Sequence, residues 1–224
     1  MMQPAPELTR DIVLVGGGHA HALVLRRWGM APLPTARLTL INPGPTAPYS
    51  GMLPGHVAGH YPRAALEIDL VRLARFAGAR LILGRATALD PEARAITVGD
   101  RRIRYDIASI DVGVTSEMPD LPGFAAHAVP AKPLEGLSRR WAAFLDAAEA
   151  GRTAPRAAVI GGGVAGLELA MAMAHALRTR TGAADVTVIE AALELPAPGA
   201  AGRRLPAALA RQDVPLRLGA RAAE

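Results

Sequence analysis

Apolar residues follow two periods along this chain, and the alternation between them predicts a repeated strand–helix–strand pattern. Asp11 to Val15 is a short β-branched run that ends at Gly16-Gly17-Gly18, and a helical stretch follows through Trp28. Gly29 is placed to close that helix and Pro32 to prevent its return. Arg37 to Ile41 alternates like a second strand, which makes this segment a βαβ unit. Asn42 to Pro62 is rich in Pro and Gly and reads as a long ordered loop, a feature that is usually functional in a compact domain. Arg63 to Phe76 is predicted helical, with Leu66, Leu70 and Leu73 on one face and Gly78 as the stop. Short strands joined at Asp90-Pro91 and Gly99-Asp100 fill Leu81 to Gly113. They form an antiparallel meander over Leu81 to Tyr105 and then a core strand over Ile107 to Val112.

Leu134 to Ala150 places Leu137, Trp141, Phe144, Leu145 and Ala148 on one helical face and reads as an amphipathic connector. Beyond Pro155 the first pattern returns. Ala157 to Ile160 is a strand, Gly161 to Gly166 a glycine turn, Leu167 to Thr179 a helix and Asp185 to Glu190 a strand. The fold class is therefore α/β, with two Rossmann-like nucleotide-binding modules and a small β-meander. The expected division is 1–132 for the first module, 133–156 for the connecting helix and linker, and 157–224 for the second module.

The glycine turns carry the chemistry. Gly161, Gly163 and Gly166 satisfy G-x-G-x-x-G directly after a strand. The first glycine permits the tight turn, and the second lets the backbone approach a pyrophosphate. The third lets the helix pack close to the strand, leaving the phosphates on the helix N-terminus beside Val164 and Ala165. Glu190 ends the following strand, where a carboxylate binds ribose hydroxyls and repels a 2′-phosphate, so NADH is expected over NADPH. The first fingerprint is looser. Gly16 and Gly18 are present, but His21 takes the third position, which requires a wider helix–strand approach. Asn42 replaces the acid, and its amide can still meet a ribose hydroxyl. A tight turn without a ligand would show the same glycines; two copies in one chain argue against it.

Composition removes several other classes. Half of the 224 residues are hydrophobic, and the formal charge of +5 is spread over scattered arginines. Arg101, Arg102 and Arg104 cluster without interleaved aromatics, so they read as a solvated turn and not a nucleic-acid surface. The chain has no cysteine, which excludes disulfides, thiolate metal sites and a redox-active dithiol. Ala157 to Leu177 is long and nearly uncharged, but Glu168 and the glycine turn argue for a buried strand–turn–helix instead of a membrane span. Met1 to Arg10 lacks the apolar core of a secretory signal. His19 and His21 lie two apart at a helix start without a third ligand, and His56 and His60 lie beside Gly55 and Gly59 in what reads as loop. No metal site is expected.

With two fingerprints in this order, the chain resembles the two-dinucleotide-binding-domain flavoproteins, the pyridine nucleotide–disulfide oxidoreductase family, and within it the type II NADH dehydrogenase-like members. The segments Gly16-Gly17-Gly18-His19-Ala20-His21 and Pro48-Tyr49-Ser50-Gly51-Met52-Leu53-Pro54-Gly55 look like one subgroup, encoded beside or fused to selenide, water dikinase. The resemblance implies FAD at the first module and NAD(P)H at the second. It implies FAD contacts at Gly16, Gly17, Gly18, His19, Ala20 and Asn42, and a position near the isoalloxazine for Tyr49, Ser50, Gly51 and Met52. It also implies a backbone contact to adenine at Thr87, a strand end beneath the flavin at Val112 and Gly113, and a glutamate near the reacting rings at Glu168. As a helix-start residue, Glu168 is equally explained by the helix dipole.

Without cysteines, the implied acceptor is a quinone or another small oxidant. Association with selenide, water dikinase, a cytoplasmic location and attachment at the inner membrane face are further expectations of the resemblance. Family members return to the FAD domain through a strand ending in Gly-Asp, whereas the only Gly-Asp here is Gly99-Asp100. On that ground both modules are expected to be incomplete at the C-terminal side, the chain being the front part of a longer enzyme. The two functions left open are hydride transfer from NADH through FAD to an acceptor, and a nucleotide-binding fragment without turnover.

Overall fold

The computed structural model describes residues 10–113, 116, 122–196 and 199–221. They form two compact units, one drawn from Met1–Tyr49 and Glu67–Val114, the other from Ser50–Leu66 and Thr115–Glu224. The segment 50–66, placed by sequence in the first module, thus groups with the second unit.

In the first unit, β1 (Arg10–Val15), α1 (His19–Met30) and β2 (Ala36–Asn42) form the expected βαβ unit. The short strands β3 (Thr46–Pro48) and β4 (Glu67–Asp69) pair antiparallel. After α3 (Leu70–Ala77) come β5 (Arg80–Leu83), then β6 (Ala86–Asp90), β7 (Ala95–Val98) and β8 (Arg101–Arg104), and finally β9 (Ile107–Ile110). The main sheet is wholly parallel in the order β5-β2-β1-β9, and β6-β7-β8 form a separate antiparallel meander. β1 is covered on both faces, which explains its unbroken apolar run. Leu14 joins Leu25, Leu38, Leu40 and Leu70 on one side, while Val13 and Val15 meet Ile41, Ile82, Ile96 and Val98 on the other.

Several expectations are corrected here. The predicted loop after Asn42 contains β3, a turn of 3₁₀ helix at Ser50–Met52 and the helix α2 (Leu53–Val57), so His56 lies on a helix despite Gly55. The predicted helix from Arg63 is a 3₁₀ turn, a strand and only then α3. Asp69 starts α3 by accepting the Arg72 N–H, a cap that marks the true helix start. α1 runs through Gly29 to Met30. A Cβ on Gly29 would lie 2.4 Å from the Phe76 ring, so this glycine serves α1–α3 packing, not helix closure. Leu81 to Leu83 belong to the parallel sheet, and β9 is its edge strand, not a core one, with Ile107 and Ile110 exposed. The arginine cluster lies on β8, where Arg102 pairs with Asp90 at 3.0 Å.

The second unit contains α2, the short α4 (Phe124–His127), α5 (Leu134–Glu149), β10 (Arg156–Ile160), α6 (Val164–Thr181), β11 (Asp185–Ile189), α7 (Gly199–Arg211) and β12 (Leu216–Arg217). Its parallel sheet runs β10-β11-β12. α6 presents Ala170, Ala174 and Ala176 to the core, and these small side chains let neighbouring elements lie close. Leu137, Trp141 and Leu145 of α5 cover it, as do Leu53 and Val57 of α2. The Trp141 indole N–H donates to the Val57 carbonyl at 2.9 Å. His56 is tied to the Tyr61 carbonyl and the Ser138 hydroxyl, which fixes α2 to α5.

Candidate functional site: two glycine loops

At the end of β1 the chain turns at Gly16, whose φ of +91° and neighbouring Asp111 carbonyl, 2.2 Å from where a Cβ would stand, both require glycine. The Gly16 N–H donates to the Ile41 carbonyl at 2.8 Å. The Gly17 N–H donates to Asn42 Oδ1 at 2.9 Å, and Asn42 Nδ2 donates to the carbonyls of Gly44 (2.8 Å) and Thr46 (3.2 Å). Buried Asn42 therefore fastens the glycine loop to the chain beyond β2, and both ends of its amide are engaged within the protein.

His21 lies inside the fold, 2 % exposed. Its Nδ1 is 2.7 Å from the Gly16 carbonyl, which can only accept, so Nδ1 carries the proton. In the neutral ring Nε2 then accepts from the Ser109 hydroxyl at 2.9 Å. The imidazole thus spans the gap that a third glycine would have closed. α1 packs closely against α3, where Gly29 lies on the Phe76 ring.

Gly18 is the N-cap of α1 and has no side chain to cap with. Asp111, just past β9, supplies the cap from a distance. Its Oδ2 accepts the His21 N–H at 3.0 Å, and its carboxylate fills the space where a Gly18 Cβ would stand, at 2.5 Å. Ser109 and Asp111 were not among the residues selected by sequence. Their signal was available as a Ser-x-Asp alternation, which puts both side chains on one side of the extended chain at the end of β9, but its target depends on β9 lying beside β1.

The second loop follows the fingerprint closely. Gly161 turns at φ +110° and donates to the Ile189 carbonyl at 2.9 Å. A Cβ on Gly166 would stand 2.1 Å from the Gly161 carbonyl, so the third glycine is obligatory, and α6 lies close against β10 and β11. Glu190 plays the part that Asn42 plays in the first loop. It accepts the N–H of Gly162 at 2.6 Å and that of Ala192 at 2.8 Å. Backbone hydrogen bonds, from Ala192 first and Gly162 next, hold its carboxyl below the usual glutamate range. A Cβ on Gly163 would meet nothing within 4 Å, and the first amides of α6 have no partner inside the helix. Amides at a helix N-terminus are the donors that suit a dinucleotide diphosphate. The first loop offers the amides of His19 and Ala20, with a carboxylate beside them.

The remaining candidates belong to both units. His19 and Tyr49 bring their rings to 4.9 Å, and Ser50 and Gly51 are exposed. Thr87 lies on β6 of the meander, while Val112 and Gly113 are exposed beyond β9. Val164, Ala165 and Glu168 are exposed on the first turns of α6. Among the described residues no group of three or more metal-ligating side chains occurs, and no helix is long and apolar enough to cross a membrane.

Two parallel-sheet units, each with a glycine turn between its first strand and helix, define a Rossmann-type dinucleotide-binding protein. Residues 10–224 match the model of the pyridine nucleotide-disulphide oxidoreductase family, and the chain belongs to that family. Comparison with curated protein sequences finds no match. Among solved structures, the sulfide:quinone oxidoreductase of Aquifex aeolicus is similar over 96% of this chain and 52% of its own, with TM-score 0.75 and 18% identity. The water-forming NADH oxidase of Lactobacillus brevis, bound to NADH, is similar over 96% of this chain and 48% of its own (TM-score 0.71, 21% identity). NDH2 of Plasmodium falciparum, in complex with NADH, is similar over 93% and 48% (TM-score 0.69, 16% identity). The chain spans about half the length of these structures.

Proposed function

We propose that the chain is the nucleotide-binding part of an FAD-dependent NAD(P)H oxidoreductase, with FAD at the first glycine loop and NADH at the second. The observation that carries this reading is the repeated device behind each loop. A polar side chain at the end of the second strand, Asn42 or Glu190, takes the N–H of the residue between the first two glycines. That device stiffens each turn just before the helix whose first amides would meet a diphosphate. Bound FAD would supply the two-electron chemistry, and the chain's part is to bind and orient both dinucleotides. Glu190 favours NADH because its charge opposes a 2′-phosphate. Glu168, exposed just past Gly166, is the residue we assign to the neighbourhood of the reacting rings.

The acceptor on this reading is a quinone or another small oxidant. The absence of cysteine supports it by removing a dithiol relay, as does the fold likeness to a sulfide:quinone oxidoreductase. Attachment at a membrane face and association with a selenide, water dikinase are finer readings that rest only on the Gly16–His21 and Pro48–Gly55 segments. A second function, dinucleotide binding without turnover, is favoured by the carboxylate of Asp111 beside Gly18. The two separate in one experiment: the protein is loaded with FAD, NADH is added without oxygen, and the flavin absorbance is followed. Bleaching followed by recovery with a quinone analogue is the expected result. Bound FAD that NADH leaves oxidised would overturn the enzyme reading.

A further inference from the structure

The N-caps of the two fingerprint helices have nearly the same backbone, φ −63°, ψ 178° at Gly18 and φ −64°, ψ 163° at Gly163. What stands over them differs. Gly163 faces open space, whereas both carboxylate oxygens of Asp111 lie 2.5 Å from the Cβ position of Gly18. Asp111 is held there from two sides. Its own N–H continues the β1–β9 ladder by donating to the Val15 carbonyl at 2.8 Å, and its Oδ2 accepts the His21 N–H. A helix N-terminus attracts an anion, and here the protein has already delivered one.

We propose that Asp111 sets the affinity of the first loop for its dinucleotide, acting as a built-in anion that competes with the diphosphate for the N-terminus of α1. It occupies the third amide of the helix, confines a diphosphate to the amides of His19 and Ala20, and opposes it by like charge. The first loop therefore holds its dinucleotide less tightly than it would without that charge, and Asp111 is the residue that makes it so. This rests on the assignment of FAD to the first loop.

The test compares the wild-type protein with Asp111→Asn and Asp111→Ser, both of which keep an oxygen able to accept the His21 N–H. FAD and riboflavin are titrated into each and followed by flavin fluorescence. The charge-free variants should bind FAD about threefold to tenfold more tightly, the size of one partly screened charge–charge contact. Riboflavin, which has no phosphate, should bind all three proteins alike. If one variant fails to fold, as seen by circular dichroism, the other gives the same comparison. Unchanged or weaker FAD binding in a folded variant, or equal tightening of riboflavin, overturns the role of Asp111 while leaving FAD at the first loop. FAD binding to none of the proteins overturns both.

Discussion

His21 and Gly166 occupy the same turn of their helices and face the same carbonyl, that of the first fingerprint glycine, yet they solve the packing problem in opposite ways. In the second unit the helix comes so close that a single methyl at Gly166 would lie 2.1 Å from the Gly161 oxygen. In the first unit the helix stands off, and an imidazole fills the gap by donating to the Gly16 oxygen at 2.7 Å. The pattern G-x-G-x-x-G thus describes one solution to a spacing. A buried polar side chain with two partners is another, and it brings residues of a distant strand into the loop.

That contrast can be broken most sharply at Gly166. Gly166→Ala should destabilise the second unit by about 3 kcal/mol, because the contact is with backbone that cannot yield; chemical denaturation measures it, and a change within error would mean the helix can stand off here too. His21→Ala should cost slightly less, about 2–3 kcal/mol, from the cavity and the unpaired Gly16 carbonyl. His21→Gly should not restore stability, since it removes both hydrogen bonds of the imidazole and leaves the same cavity.

The two polar tethers differ in charge, and this gives a prediction of intermediate size. Glu190→Gln should weaken NADH binding about tenfold and narrow the preference over NADPH, the size of one lost charge-assisted hydrogen bond. Calorimetric titration with both nucleotides reads both effects. Because the folded pKa of Glu190 is depressed, its stabilisation is complete above the unfolded glutamate pKa of about 4.3 and is lost as pH falls through the lower folded value. The stability difference between wild type and Glu190→Gln should therefore persist at neutral pH and shrink in acid; a difference that grows in acid would reverse the assignment. The smallest effect belongs to the exposed Arg102–Asp90 pair. Its removal by Arg102→Ala should change stability by less than about 0.5 kcal/mol.

Much of this was legible in the sequence because it is local. Both βαβ units, the α5 connector and the meander strands follow from apolar periodicity, and the turns at Gly16 and Gly161 from residues that tolerate positive φ. What was missed depends on partners distant in the chain. Gly29 resembles a helix stop until Phe76 is placed against it. Leu66 and Leu70 share a helical spacing, but Asp69 caps between them and the chain changes structure there. Ser109 and Asp111 became part of the first loop only when β9 took its place beside β1, a pairing that no local signal specifies.

The central claim is that the two helix starts are distinct dinucleotide sites, the second open and the first already carrying an anion. Gly163→Asp tests it most directly. It gives the second loop a carboxylate like the one Asp111 brings to the first, at an N-cap position with ordinary backbone angles and no neighbour to clash with. An aspartate there should cap α6 and leave stability unchanged or raised by about 0.5–1 kcal/mol. Calorimetric titration of FAD and NADH into this variant should then show NADH binding weakened at least about tenfold and FAD binding as in the wild type. NADH binding that survives intact, or a parallel loss of FAD, would contradict the account.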